Sequence, residues 1–151
     1  MTDETAPLSL PASGPLERFL EVVSDSISDG FEQLDGLTPL VFAVTENGDA
    51  YVIGVPSRLA TGDPDKTGEG VVKWMRDHFR KNDVIRYAFA SETQESQWEV
   101  VAIEVEDYNG AIIGFRKIIR GDGKARLGPL RTVHKTGFFG GRLLPERGRL
   151  N

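Results

Sequence analysis

Residues 84–120 hold the pattern that most restricts the fold. Three β-prone runs follow one another there, Val84–Ser91 (VIRYAFAS), Trp98–Asp107 (WEVVAIEVED) and Ala111–Arg120 (AIIGFRKIIR), each bounded by short turn-forming segments. None leaves room for a helical crossover before the next, so the strands must pair antiparallel as a meander. Asn109-Gly110 reads as a tight hairpin turn, because both residue types tolerate positive φ. From Val100 to Val105 the middle run is largely apolar on both faces, which predicts a central strand covered on both sides. Gly121-Asp122-Gly123 then turns into a short strand near Ala125–Leu130.

Upstream, Leu40–Val44 and Tyr51–Val55 flank Asn47-Gly48, the signal of a type I′ hairpin. Two helices complete the pattern. Gly14-Pro15 opens the first, with Leu16, Phe19, Leu20, Val23, Ile27, Phe31 and Leu34 on one face, Gly36 as a cap and Pro39 as a stop. Residues 56–70 (PSRLATGDPDKTGEG) read as a long loop. A second helix follows from about Glu69 to Asn82, burying Val71, Val72, Met75 and Phe79. The order α-ββ-α-βββ predicts an α+β fold, a largely antiparallel sheet of five or six strands with two helices packed against it.

The 151 residues suit one domain. Residues 1–14 read as a flexible N-terminal arm, 15–130 as the α+β domain and 131–151 as a basic tail containing Gly and Phe. The absence of cysteine removes disulfides, thiolate metal sites and cysteine nucleophiles. Met1-Thr2-Asp3-Glu4 is acidic where a secretory signal is basic, and no apolar run is long enough to span a bilayer. The expected location is the cytoplasm, with no membrane association.

Charge is distributed unevenly. Residues 1–110 carry net -13 and residues 111–151 net +8, within a total of -5. Glu17, Glu21, Asp25 and Asp29 recur every four residues opposite the apolar face of the first helix. Lys73, Arg76, Arg80 and Lys81 fall on the outward face of the second. In the tail, Arg131, Lys135, Arg142, Arg147 and Arg149 face only Glu146, with Phe138-Phe139 and Leu143-Leu144 as apolar pairs. A solubilising tail has little use for such pairs, so the tail is expected to dock, with the Glu17–Asp29 face as its target.

Motifs for chemistry fall short. Gly62-Asp63-Pro64-Asp65-Lys66-Thr67 ends like a phosphate-binding loop but lacks the second glycine. Asp63-x-Asp65-x-Thr67-Gly68 starts like a calcium loop, yet its twelfth position is Trp74 rather than Glu. Asp65-Lys66-Thr67-Gly68 resembles the phosphorylated-aspartate signature of P-type ATPases over four residues alone. A solvated turn accounts for all three, and no cofactor is expected. His78, one turn after Trp74, suits an aromatic contact better than acid–base work, and His134 stands apart from it. Glu104, Glu106 and Asp107 end a strand, with Glu92 and Glu95 in the turn before it. Glycosidase-like chemistry needs two carboxylates across a cleft, which the sequence does not indicate.

Tyr87-Ala88-Phe89-Ala90-Ser91-Glu92, Ile103-Glu104-Val105-Glu106-Asp107 and Leu127-Gly128-Pro129-Leu130 resemble stretches of small uncharacterised bacterial proteins. The resemblance implies a bacterial or phage-related origin and assigns no activity.

The leading functional expectation is a non-enzymatic binding or assembly module with a protein partner or a second copy. Its contact residues are Glu17, Glu21, Asp25, Asp29, Lys73, Arg76, Arg80, Arg131, Phe138, Phe139 and Arg142. The runner-up is a nucleic-acid-associated protein using the basic tail and second helix. A pI near 5.1 weighs against that reading. A small enzyme with a site near the 56–70 loop comes third.

Overall fold

A computed structural model describes residues 10–34, 36–121, 123–133 and 143–146. In chain order these form α1 (Leu16–Leu34), β1 (Leu40–Thr45), β2 (Ala50–Gly54), a one-turn 3₁₀ helix (Ser57–Leu59), α2 (Pro64–Lys81), β3 (Val84–Glu95), β4 (Trp98–Asp107), β5 (Gly110–Gly121), β6 (Lys124–Leu127) and β7 (Arg131–Val133). The strands lie in the order β2-β1-β3-β4-β5-β6, with β7 also on β5. Every ladder is antiparallel. The fold is α+β, and the meander expected over 84–120 is its centre. β4 lies between β3 and β5, and Val100–Ile103 are buried on both faces, as its apolar pattern requires.

Each helix covers one face of the sheet. Phe19, Leu20, Val23, Ile27 and Phe31 of α1 pack on Phe42, Val44, Ala88, Ala90, Val101, Ile103, Val105 and Ile112. Val71, Met75 and Phe79 of α2 pack on the alternate residues Val41, Ala43, Tyr87 and Phe89. The period-2 alternation of the strands sorts these sets onto opposite sides. Each large apolar side chain so buried stabilises the fold by about 1.5–3 kcal/mol.

The turns depart from the expected chemistry. At Asn47-Gly48 glycine alone takes positive φ, 91°. The Gly48 N–H donates to Thr45 O and the Thr45 N–H to Asp49 O, both at 2.9 Å. This is a three-residue loop of a type I turn plus a glycine bulge, not type I′. Between β4 and β5 the turn centres on Tyr108-Asn109, since Asp107 pairs with Gly110. Asp107 Oδ1 accepts from the N–H groups of Asn109 (2.8 Å) and Gly110 (3.1 Å), so an aspartate side chain closes it without any positive φ. Glu92 and Glu95 lie within β3, which extends four residues beyond Ser91. Its turn is Ser96-Gln97, with Ser96 at φ 58°.

α2 starts at Pro64 rather than near Glu69. Asp63 caps it, its carboxylate accepting from the N–H groups of Asp65 (3.0 Å) and Lys66 (3.4 Å), and Pro64 takes the first position. Glycines at 68 and 70 disguised the five helical residues 64–68 as loop.

Residues 10–14, the described part of the expected arm, are tied to the domain, and the leucine pair of the tail docks, but on a different surface from the one expected. Leu10 packs against the α1 core, and the carbonyls of Pro11, Ser13 and Gly14 accept from Arg86. β6 and β7 form one edge strand along β5, interrupted at Gly128-Pro129-Leu130. The register slips there by one residue, from Ile118↔Leu127 to Phe115↔Arg131. Leu143 and Leu144 are buried on the α2 side of the sheet, not on the acidic face of α1. The Leu143 N–H donates to Glu106 (3.0 Å), and the Tyr108 hydroxyl donates to Pro145 O (2.5 Å).

Candidate functional site: the basic groove of helix α2

The outward face of α2 borders an open groove of about 590 Å³ running from Pro64 to Arg80. Gly68 keeps part of its floor low, since a Cβ there would meet nothing within 4 Å. Val72 adds an apolar strip, and Lys73, Arg76 and Arg80 supply positive charge. The three cations lie on one face because they are spaced three and four residues apart. Arg80, in the last turn, also suits the helix dipole. Asp77 sits between the cations, accepting from Lys73 Nζ and Arg80 Nη2, each at 3.0 Å. The Lys73 hydrogen bond, more than any other cause, holds the Asp77 carboxyl below the usual carboxylate range. These pairs are solvent-exposed and add little to stability. Their effect is geometric, drawing the two cations toward the middle of the groove.

The acidic residues foreseen on α1 are all at the surface. Glu17, Glu21, Asp25 and Asp29 are exposed on the helix whose other side fills the first core. The structure therefore separates the acidic and basic sets onto opposite faces of the sheet. Arg131 is distant from both helices in role: it pairs with Glu95 of β3 and lies over the Phe115 ring, 5.3 Å from its centroid. Phe138, Phe139 and Arg142 lie outside the described residues.

A second polar cluster sits beneath α2. Trp74 stacks on His78 at 5.6 Å and 22°, and the Tyr51 hydroxyl lies 2.7 Å from His78 Nε2. Burial, reinforced by Lys81, pushes the His78 pKa down, and burial pushes the Tyr51 pKa up. Both groups are thereby kept neutral near pH 7, locking β2 to α2. Sequence spacing points to the Trp74 contact. The Tyr51 partner, 27 residues away, depends on strand register and has no local signal.

The carboxylates of β4 separate by side. Asp107 forms a buried ion pair with Arg86 at 2.9 Å on the α1 face. On the other face Glu106 accepts from the Tyr87 hydroxyl (2.8 Å) and from Leu143. Glu104, two residues along, stands in a row between Phe89 and Ile113. Burial there pushes its pKa up to about 8. Glu92 and Glu95 accept from Leu37 N–H and Arg131 respectively. Asp107, Glu106, Glu92 and Glu95 thus tie segments together rather than face each other across a cleft. Among the described residues no cluster of His, Asp and Glu could hold a metal ion, and no helix is long and apolar enough to cross a membrane. No protein-family model, curated protein or solved structure matches the chain.

Proposed function

We propose that this protein is a non-enzymatic binding and assembly module whose contact surfaces are the basic groove of α2 and the acidic stripe of α1. One observation carries this reading: Lys73, Arg76 and Arg80 line a groove on one face of the sheet, while four exposed acids at helical spacing occupy the helix on the other. The partner for the groove is an acidic protein surface. The α1 stripe of a second copy is the acidic surface that the molecule itself supplies. Because the two surfaces lie on opposite faces, such a contact is heterologous and propagates head to tail. Asp77, Asp65 and Glu69 within the groove favour a protein partner over nucleic acid, since a phosphate track gains from uninterrupted positive charge. The 56–70 segment also supports a binding role over catalysis, its Asp63 being engaged in capping α2.

The test is sedimentation at low and high salt. Association that weakens between about 50 mM and 500 mM salt, as screening of an exposed charged contact demands, is expected. The triple variant K73E/R76E/R80E should abolish the salt-sensitive part of the association, and mixing that variant with E17K/E21K/D25K/D29K should restore it. Sedimentation indifferent to salt and to both variants would remove this reading.

A further inference from the structure

The two edges of the sheet are finished differently. At the β6–β7 edge the strand is broken by the bulge at Gly128-Pro129-Leu130, and exposed Lys124, Arg126 and Arg131 flank the break. Bulges, proline and basic residues are the usual means of blocking a further strand. The β2 edge has none of them. Ala50-Tyr51-Val52-Ile53-Gly54 is uncharged and unbroken, pairs only with β1 among the described residues, and leaves Val52 40% exposed.

Hydrogen bonds at both ends of the β1–β2 ladder fix which backbone groups point outward. Thr45 N–H donates to Asp49 O, and Val55 N–H to Pro39 O. Antiparallel alternation then turns the groups of Tyr51 and Ile53 toward β1. Those of Ala50, Val52 and Gly54 face solvent. We propose that β2 is a self-pairing edge, joining two copies of this chain antiparallel about a two-fold axis at Val52.

That register satisfies every outward group: Val52 exchanges both hydrogen bonds with its symmetry mate, and Ala50 does so with Gly54. It places Tyr51 beside Ile53 of the other copy, an aromatic–β-branched pair of the kind that stabilises sheets. It also brings the turn end of one hairpin, bearing Glu46 and Asp49, toward the strand exit of the other, which leads to exposed Arg58. A parallel arrangement would set like charges together. The contact is isologous and stops at two copies. It is independent of the α2 groove and of the charge reading above. A five-residue edge buries less than a standard interface, so the dimer is reversible, with Kd expected at about 1–100 µM.

Sedimentation of the full chain at about 0.5 M salt, where the Debye length is about 4 Å, isolates this contact from the charged one. A concentration-dependent dimer is expected for the wild type and for K73E/R76E/R80E. Val52→Pro removes only an outward N–H, leaving the β1–β2 ladder intact, and should raise Kd at least about tenfold. Val52→Lys, which sets two ammonium groups across the axis, should do the same, while Val52→Thr should dimerise as the wild type does. Thermal unfolding of each variant reports whether it is folded, and if the proline variant is not, the lysine variant decides. Amide exchange at 50, 52 and 54 should slow as concentration rises. A wild-type monomer throughout the range, folded Pro or Lys variants that dimerise normally, or growth beyond two copies would overturn the proposal.

Discussion

The two faces of the sheet are built from the same strands, yet they bury different chemistry. Beneath α1 the described core is phenylalanine, leucine, valine, isoleucine and alanine, with Ser24 held by Arg116 and one buried ion pair, Arg86–Asp107, at its margin. The α2 side mixes its apolar residues with Tyr51–His78, Tyr87–Glu106 and Glu104. Polar groups cost free energy to bury unless they are partnered, so the second face tolerates them only where hydrogen bonds or partial exposure compensate. The α1 face is a folding surface. The α2 face holds Glu104, whose charge responds to pH.

The sharpest way to break this contrast is to damage the one ion pair at the α1 face. Arg86 donates to Asp107, to three carbonyls of residues 11–14, and lies 5.4 Å from the Phe19 ring centroid. Arg86→Ala leaves a buried carboxylate and is expected to cost about 3–5 kcal/mol in urea unfolding. A loss under about 1 kcal/mol would mean that water replaces the guanidinium freely.

On the other face, Glu104 makes stability depend on pH. Its folded pKa, about 8, lies above its ordinary value of 4.5. The folded state therefore holds a proton that the unfolded state releases between those pH values, and stability falls as pH rises through that window. The full loss is of the order of 3 kcal/mol after allowance for partial exposure. Glu104→Gln should flatten this slope, read as the difference in melting temperature from the wild type between pH 5 and pH 8. Parallel pH profiles for the two proteins would refute the assignment.

A smaller effect is expected where α1 approaches β5. A Cβ on Gly114 would come within 2.8 Å of Leu130 Cδ1 and 3.1 Å of both Leu20 δ-carbons. Gly114→Val should cost about 1–3 kcal/mol in chemical denaturation, and Gly114→Ala less, because leucine termini can yield. The smallest effect belongs to the β3–β4 turn, which neither helix covers. Ser96 occupies φ 58°, a conformation costing an L-residue about 1 kcal/mol, so Ser96→Gly should raise the melting temperature slightly.

Legibility in the sequence followed the range of the interactions. The helical faces Phe19–Phe31 and Val71–Phe79 and the three strands of 84–120 are read directly, because periodicity is a local property. The start of α2 was obscured because Gly68 and Gly70 outweighed the Asp63-Pro64 cap, though both cues were present. Turn type was misread at Asn47-Gly48 because the dipeptide signals a turn without fixing the loop length. Of the candidate site, the cations of α2 and acids of α1 were legible as helical stripes. Their placement on opposite faces was not, since it depends on strand order, and neither was the bare β2 edge.

The grip of Arg86 on Pro11, Ser13 and Gly14 spans 72–75 residues of chain. A nascent chain leaves the ribosome N-terminus first, at about 5–20 residues per second. The segment that leads into α1 is thus made several seconds before its anchor, and Asp107, which holds that anchor, comes later still. Until then α1 has an apolar face and no sheet to receive it. α1 is made before every strand it packs on, and the like charges of its exposed stripe repel the same helix on a neighbouring chain while it waits.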